Sequence, residues 1–198
     1  MAKIGVLSLQ GDFLEHIQLL REVGADVSKV KKPSDLREID ALIIPGGEST
    51  TIGRLMVIKG LADPVRDFAK QGRPIMGTCA GAVLLAKSAV DKQVGDIGQP
   101  LLALMDIKVV RNFYGRSKRS FIAKVYIEEI GEVEAAFIRA PVITEAWNDA
   151  KILGFIDHPD LGKTGVAAKQ GNILAITFHP EITGDKKIYK YFLELVKK

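Results

Sequence analysis

One cysteine and three histidines limit the covalent and acid–base chemistry open to this 198-residue chain. Cys79 stands in Gly77-Thr78-Cys79-Ala80-Gly81, with a glycine two residues before it and another two after. The segment follows the apolar run Pro74 to Thr78 and precedes a helical apolar pattern. A nucleophile flanked this way, between a strand and a helix, reads as an elbow. The turn is tight enough for a side chain at either flank to collide, and it aims the sulfur out of the sheet. The helix N-terminus beneath it offers free N–H groups, which favour negative charge on sulfur. A lone cysteine in an apolar segment otherwise fills core space. The paired glycines and the strand-to-helix setting favour the nucleophile.

A cysteine nucleophile needs a base. His179 follows the apolar run Ile173 to Phe178, at the end of a strand and in the same layer as the elbow. Glu181 stands two residues on. In an extended segment its carboxylate points the same way as the imidazole, accepts the second ring N–H and fixes the tautomer. Cys79, His179 and Glu181 therefore read as a triad. His16 reads as a partly exposed residue of the first helix, and His158, in Asp157-His158-Pro159-Asp160, as part of a surface turn. Pro45-Gly46-Gly47 lets backbone N–H groups approach a ligand. One of them, with the Ala80 N–H, would make an oxyanion hole; a plain Pro-Gly turn is the alternative.

The elements that must position these groups can be read along the chain. Ile4 to Leu9, Val27 to Val30, Ala41 to Ile44 and Pro74 to Thr78 read as strands. Helices are expected from Asp12 to Val23, from about Ser49 to Val57, from Leu61 to Gln71 and from Cys79 to Ser88. Asp12 and Glu15 fit the start of the first helix and Gly24 its stop, with Phe13, Ile17 and Leu20 on one face. The second half carries strands at Ile107 to Arg111, Phe121 to Ile127, Val133 to Arg139, Val142 to Ala146, Gly165 to Lys169 and Ile173 to Phe178. A final helix runs from about Asp185 to Val196. Residues 89 to 104 are the least readable.

Strand–helix alternation implies parallel pairing, and wholly apolar runs imply strands covered on both faces. The expectation is a single domain over residues 1 to 198. Its fold class is α/β: a three-layer open, mostly parallel sheet with helices on both faces and antiparallel additions. Ligands of such sheets gather at the C-terminal ends of the strands. Gln10-Gly11, the loop from Pro45 to Thr51 and the elbow all stand at such ends.

Composition narrows the function classes. Hydrophobic residues make up 47% and charged residues 26%, which excludes an intrinsically disordered chain. A single cysteine excludes an intrachain disulfide and a Cys-based zinc cluster. The scattered histidines show no metal-ligand spacing, and no phosphate-cradling Gly-x-x-x-x-Gly-Lys occurs, so neither metal nor cofactor is expected. The net charge of +4 permits nucleic-acid binding without arguing for it. Arg116, Lys118 and Arg119 read first as a solvated basic surface, then as a docking patch, and last as a nucleic-acid site. The run Ile4 to Leu9 is too short for a signal peptide or a membrane span, which suits a cytoplasmic protein.

The motifs together resemble class I glutamine amidotransferases, whose glutaminase domains use a Gly-x-Cys-x-Gly elbow and a His-Pro-Glu segment. Within that class the chain is similar to the glutaminase subunits of pyridoxal 5′-phosphate synthase. The residues that carry the narrower likeness are Leu9-Gln10-Gly11 with Glu15-His16, Pro45-Gly46-Gly47-Glu48-Ser49-Thr50-Thr51, Arg111-Asn112-Phe113-Tyr114-Gly115-Arg116 and Phe137-Ile138-Arg139-Ala140-Pro141. The chain departs from that pattern between Ser117 and Ile122. The resemblance implies hydrolysis of L-glutamine to glutamate and ammonia through a Cys79 thioester, with His179 moving the proton and Glu181 orienting it. It implies substrate contacts from Gly46, Gly47, Glu48, Arg111, Ile138 and Arg139, and an oxyanion hole of Gly47 and Ala80 assembled with Gln10. It further implies a synthase subunit as partner in a hetero-oligomeric complex, and low activity without it. Three rivals share the elbow: a glutaminase serving another synthase, such as imidazole glycerol phosphate synthase; a redox sensor or chaperone with a reactive cysteine; and a degenerate, non-catalytic binding subunit. His179 and Glu181 are what the second does not need.

Overall fold

The computed structural model describes residues 2–114, 120–158 and 162–197. Its first half alternates strand and helix: β1 (Lys3–Leu7), α1 (Phe13–Glu22), β2 (Asp26–Val30), a 3₁₀ turn (Pro33–Glu38), β3 (Ala41–Ile44), α2 (Ser49–Ile58), α3 (Ala62–Lys70), β4 (Ile75–Thr78) and α4 (Ala80–Leu85). The second half is mostly strand: β5 (Ala86–Asp91), β6 (Met105–Arg111), β7 (Phe121–Ile127), β8 (Gly131–Phe137), β9 (Val142–Ala146), β10 (Lys151–His158), β11 (Gly162–Gln170) and β12 (Ile173–Ile176). The short α5 (Pro180–Thr183) and α6 (Lys187–Val196) follow.

Five strands pair in parallel in the order β2-β1-β3-β4-β12. This is the doubly wound order 2-1-3-4-5 of flavodoxin-like sheets. From β12 the sheet continues antiparallel through β11, β10, β7 and β8, while β9 joins β11 to the parallel pair β6 and β5. The expected three-layer α/β architecture is thus present.

Alternate residues of each central strand go to opposite faces. Leu42 and Ile44 pack with Ile52 and Met56 of α2, Val65 and Phe68 of α3, and α4. Ala41 and Ile43 pack with Ile17 and Leu20 of α1 and Ile188 and Phe192 of α6. All four β3 residues are fully buried, which is why that run is apolar throughout. Each such Leu or Ile contributes roughly 1.5–3 kcal/mol. The C-terminal ends of β1, β3, β4 and β12 therefore sit side by side on a rigid base.

Several boundaries differ from the sequence reading. The helix after Cys79 ends at Leu85 rather than Ser88, because Ala86 turns extended (φ −67°, ψ 146°) and leads directly into β5. Pairing of β5 with β6 outweighs the local helical pattern. The strand expected to reach Arg139 stops at Phe137, and Arg139 takes φ 48°. β10 has no counterpart in the reading: register shifts on both sides of Gly154 break its alternation. His158 is the last residue of β10, not part of a turn. The run Arg116, Ser117, Lys118 and Arg119 lies outside the described residues. Among the described residues no helix is long and apolar enough to cross a membrane.

Candidate active site

The elbow begins with its glycines. A Cβ built on Gly77 would lie 2.5 Å from the Gly81 carbonyl carbon, and one on Gly81 would lie 2.1 Å from the Ile44 carbonyl oxygen. Neither position has room for a side chain. Between them Cys79 adopts φ 47°, ψ −103°, a conformation unfavourable for a non-glycine residue. Its N–H donates to the Ile176 carbonyl at 2.7 Å, tying the turn to β12. Cys79 sits at a cavity of about 520 Å³ that is also lined by Gln10, Asp12, Gly47, Glu48, Ala80, Arg111, Ile138, Arg139 and His179.

His179 stands just beyond β12, and its N–H donates to the Ala136 carbonyl of β8 at 2.8 Å. Pro180 opens α5, so Glu181 lies in a helical first turn and not in the extended segment the sequence suggested. The contact forms regardless: His179 Nδ1 donates to Glu181 Oε1 at 2.6 Å. That leaves Nε2 for the Cys79 sulfur. Burial opposes a charged imidazole here, but the hydrogen bonds with Cys79 and Glu181 prevail and push the His179 pKa up to about 11. Burial likewise opposes the Glu181 carboxylate, yet the hydrogen bond with His179 holds its pKa below the ordinary value.

The loops after β1 and β3 interlock. Gly46 O accepts the Asp12 N–H at 3.1 Å, so the Gly47 N–H of the same peptide points away from that loop. Gln10 Oε1 accepts the Glu48 N–H at 2.9 Å, which orients the next peptide. Gly11 takes φ 96°, and a Cβ there would lie 1.8 Å from Gly46 O. Gly46 is buried against the imidazole, where a Cβ would lie 2.6 Å from His179 Cε1; Gly47, not Gly46, faces the cavity.

Glu48 is the N-cap of α2. Its carboxylate accepts from the N–H groups of Thr50 and Thr51 at 3.1 and 2.7 Å, and from Thr51 Oγ1 at 2.5 Å. Burial opposes this charge, but the Thr51 and Thr50 hydrogen bonds keep its pKa low. Arg111, at the end of β6, donates to Thr50 Oγ1 at 3.0 Å and to Gln99 Oε1, and lies 3.5 Å from Glu48. Together with Arg139 and Asp12, these residues place both signs of charge around one cavity. That arrangement suits a zwitterion of amino-acid size.

Two residues stand at the site in places the sequence reading did not give them. Asp12 Oδ2 lies 3.6 Å from His179 Nδ1. Burial raises its pKa, and the nearby His179 partly offsets the rise. Its place directly after Gln10-Gly11 at the end of β1 was the available signal. His16 is fully buried, not partly exposed. It shares the helix face of Phe13, Ile17 and Leu20, so its position on that stripe was the signal. Asp12, His179 and Glu181 bring ligand atoms within 4.8 Å of one another, but the short His179–Glu181 bond uses the inner pair.

Comparisons with known proteins give the family of the chain. The model of the SNO glutamine amidotransferase family matches residues 6–198. The pyridoxal 5′-phosphate synthase subunit PdxT of Hyperthermus butylicus is 54% identical over 198 residues, covering 100% of this chain and 98% of that protein. The subunit of the same name from Aeropyrum pernix is 47% identical, with 99% and 100% covered. A crystal structure described as a glutamine amidotransferase superposes with a TM-score of 0.89 at 40% identity, covering 98% and 99% of the two chains. PurLQS from Thermotoga maritima, at 15% identity over 98% of this chain and 99% of that one, shares the fold with a TM-score of 0.70.

Proposed function

The chain belongs to the SNO glutamine amidotransferase family, and from that premise we propose that it is the glutaminase subunit of a pyridoxal 5′-phosphate synthase, acting as one glutaminase unit over its whole length. The reading rests most on one observation: a strained cysteine elbow opens into a charged cavity beside a histidine whose far nitrogen is bonded to a buried glutamate.

The reaction follows from the groups present. The sulfur of Cys79 attacks the side-chain amide carbon of L-glutamine, and the developing oxyanion is met by the N–H groups of Ala80 and Gly47. His179 gives its Nε2 proton to the departing nitrogen; the C–N bond breaks, ammonia leaves and a γ-glutamyl thioester remains. His179, now neutral, takes a proton from water, which attacks the thioester carbon. The C–S bond breaks and glutamate departs. Glu181 holds the ring in place through Nδ1. Arg111 and Arg139 supply cations for the α-carboxylate, and Glu48 an anion for the α-ammonium.

The curated relatives are named as subunits of pyridoxal 5′-phosphate synthase, which supports ammonia delivery to a synthase partner. The His179–Glu181 bond also weighs against a redox sensor, whose cysteine needs no orienting carboxylate. The test is glutamate formation from L-glutamine by wild-type and Cys79→Ala protein in the presence of that partner. Wild type is expected to turn over and Cys79→Ala to be inert with its fold unchanged. A Cys79→Ala protein that still formed glutamate would refute the mechanism.

A further inference from the structure

Behind the proposed triad lies a buried polar cluster that the glutaminase chemistry does not use. Glu181 spends Oε1 on His179, while Oε2 is buried and has no hydrogen-bond partner among the described residues. His16 Nε2 lies 3.5 Å from that oxygen. The same nitrogen is 3.0 Å from Thr78 Oγ1, on the residue immediately before Cys79. On the other side of the ring, Nδ1 is 2.7 Å from the hydroxyl of Tyr189 on α6. One fully buried imidazole on α1 thus touches the segment of the nucleophile, the acid that orients the base, and a helix that packs on the same face of the sheet.

We propose that His16 is a positioning residue for the triad, holding Glu181 and the Thr78–Cys79 elbow in register from behind. A carboxylate needs a donor, so the Nε2–H tautomer fits: it faces Glu181 Oε2 and Thr78 Oγ1 together, and Tyr189 O–H donates to Nδ1. Burial lowers the His16 pKa despite the opposing pull of Glu181, which suits this neutral form. A neutral imidazole turns its N–H toward Thr78 Oγ1 at 3.0 Å and Glu181 Oε2 at 3.5 Å without competing with His179 as the cation the carboxylate serves. Buried polar groups of this kind are costly unless satisfied, so the cluster has a fixed geometry to transmit.

The proposal rests on the glutaminase reading, and the test separates the two. His16→Leu keeps an apolar filling and removes the donor; His16→Gln returns an amide N–H near the place of Nε2. With the synthase subunit present, His16→Leu is expected to lower kcat for glutamine about 10- to 100-fold, the order that misplacing a reacting group costs, with KM changed less than about twofold. His16→Gln is expected to recover most of that loss. Alkylation of Cys79 by iodoacetamide, which needs no glutamine, is expected to slow several-fold in His16→Leu and less in His16→Gln. If the Leu variant does not fold, Tyr189→Phe removes only the hydroxyl that fixes the tautomer, and kcat should fall several-fold at unchanged KM. Equal losses in Leu and Gln, a loss in KM alone, or an unchanged kcat in Tyr189→Phe would overturn the proposal. Wild-type protein that alkylates but never turns over glutamine would instead count against the glutaminase reading, and the alkylation contrast would still decide the role of His16.

Discussion

His179 keeps its proton in a site whose burial opposes charge, because Cys79 and Glu181 both favour the imidazolium. Removing the ring should therefore cost more than removing the group that orients it. His179→Asn is expected to lower kcat about 10³- to 10⁴-fold and Glu181→Gln about 10²-fold, measured as glutamate release with the synthase present. The reverse order would contradict the assignment. The same shifts set a pH dependence of stability. His179 has a folded pKa raised to about 11 from an ordinary 6.5. Its contribution is fully present below pH 6.5 and disappears as pH rises through 11. Glu181 has a folded pKa below its ordinary 4.5. Its contribution is present above 4.5 and disappears as pH falls through the folded value. The difference in thermal midpoint between wild type and Glu181→Gln should thus shrink as pH falls from about 5 toward 3. A gap that does not change over that range would contradict the shift.

At the scale of elements, two glycines should fail in different ways. Gly81→Ala drives a Cβ to 2.1 Å from the Ile44 backbone oxygen, which cannot move without shifting β3. It should cost about 3 kcal/mol, or roughly 6–12 °C in Tm. Gly46→Ala instead meets the His179 ring at 2.6 Å. It should leave Tm within a few degrees but displace the ring and lower kcat at least about tenfold. Calorimetry and kinetics on the two variants separate the cases; matching Tm losses would show that Gly46 supports the fold and not the imidazole. The elements that carry these groups were legible where local chemistry and tertiary structure agree. Ala41 to Ile44 is apolar because both faces are covered, and Gly77 and Gly81 are glycines because they touch other backbone. β10 was illegible because its bulges at Gly154 break the period of two. The length of α4 was illegible because β5 is set by its partner β6. His16 was misread because its type suggested exposure, while its helix face placed it in the core.

The whole molecule places five strand ends, two interlocked loops and the segment after β8 around one cavity. Arg139 reaches it from a left-handed conformation at φ 48°. Charges of both signs there fit a zwitterionic substrate, so Arg111→Gln should raise KM for glutamine about tenfold or more with a smaller change in kcat. That outcome would show a binding contact, whereas a fall in kcat at constant KM would assign Arg111 to catalysis instead. Ammonia released to bulk water is lost to a synthase, so turnover is expected to wait for the partner. The most direct test is ammonia release from L-glutamine, measured with and without the pyridoxal 5′-phosphate synthase subunit from the same source. Slow release alone, a sharp rise with the synthase and none in either case from Cys79→Ala is the predicted result. No release from folded wild-type protein under either condition would contradict it.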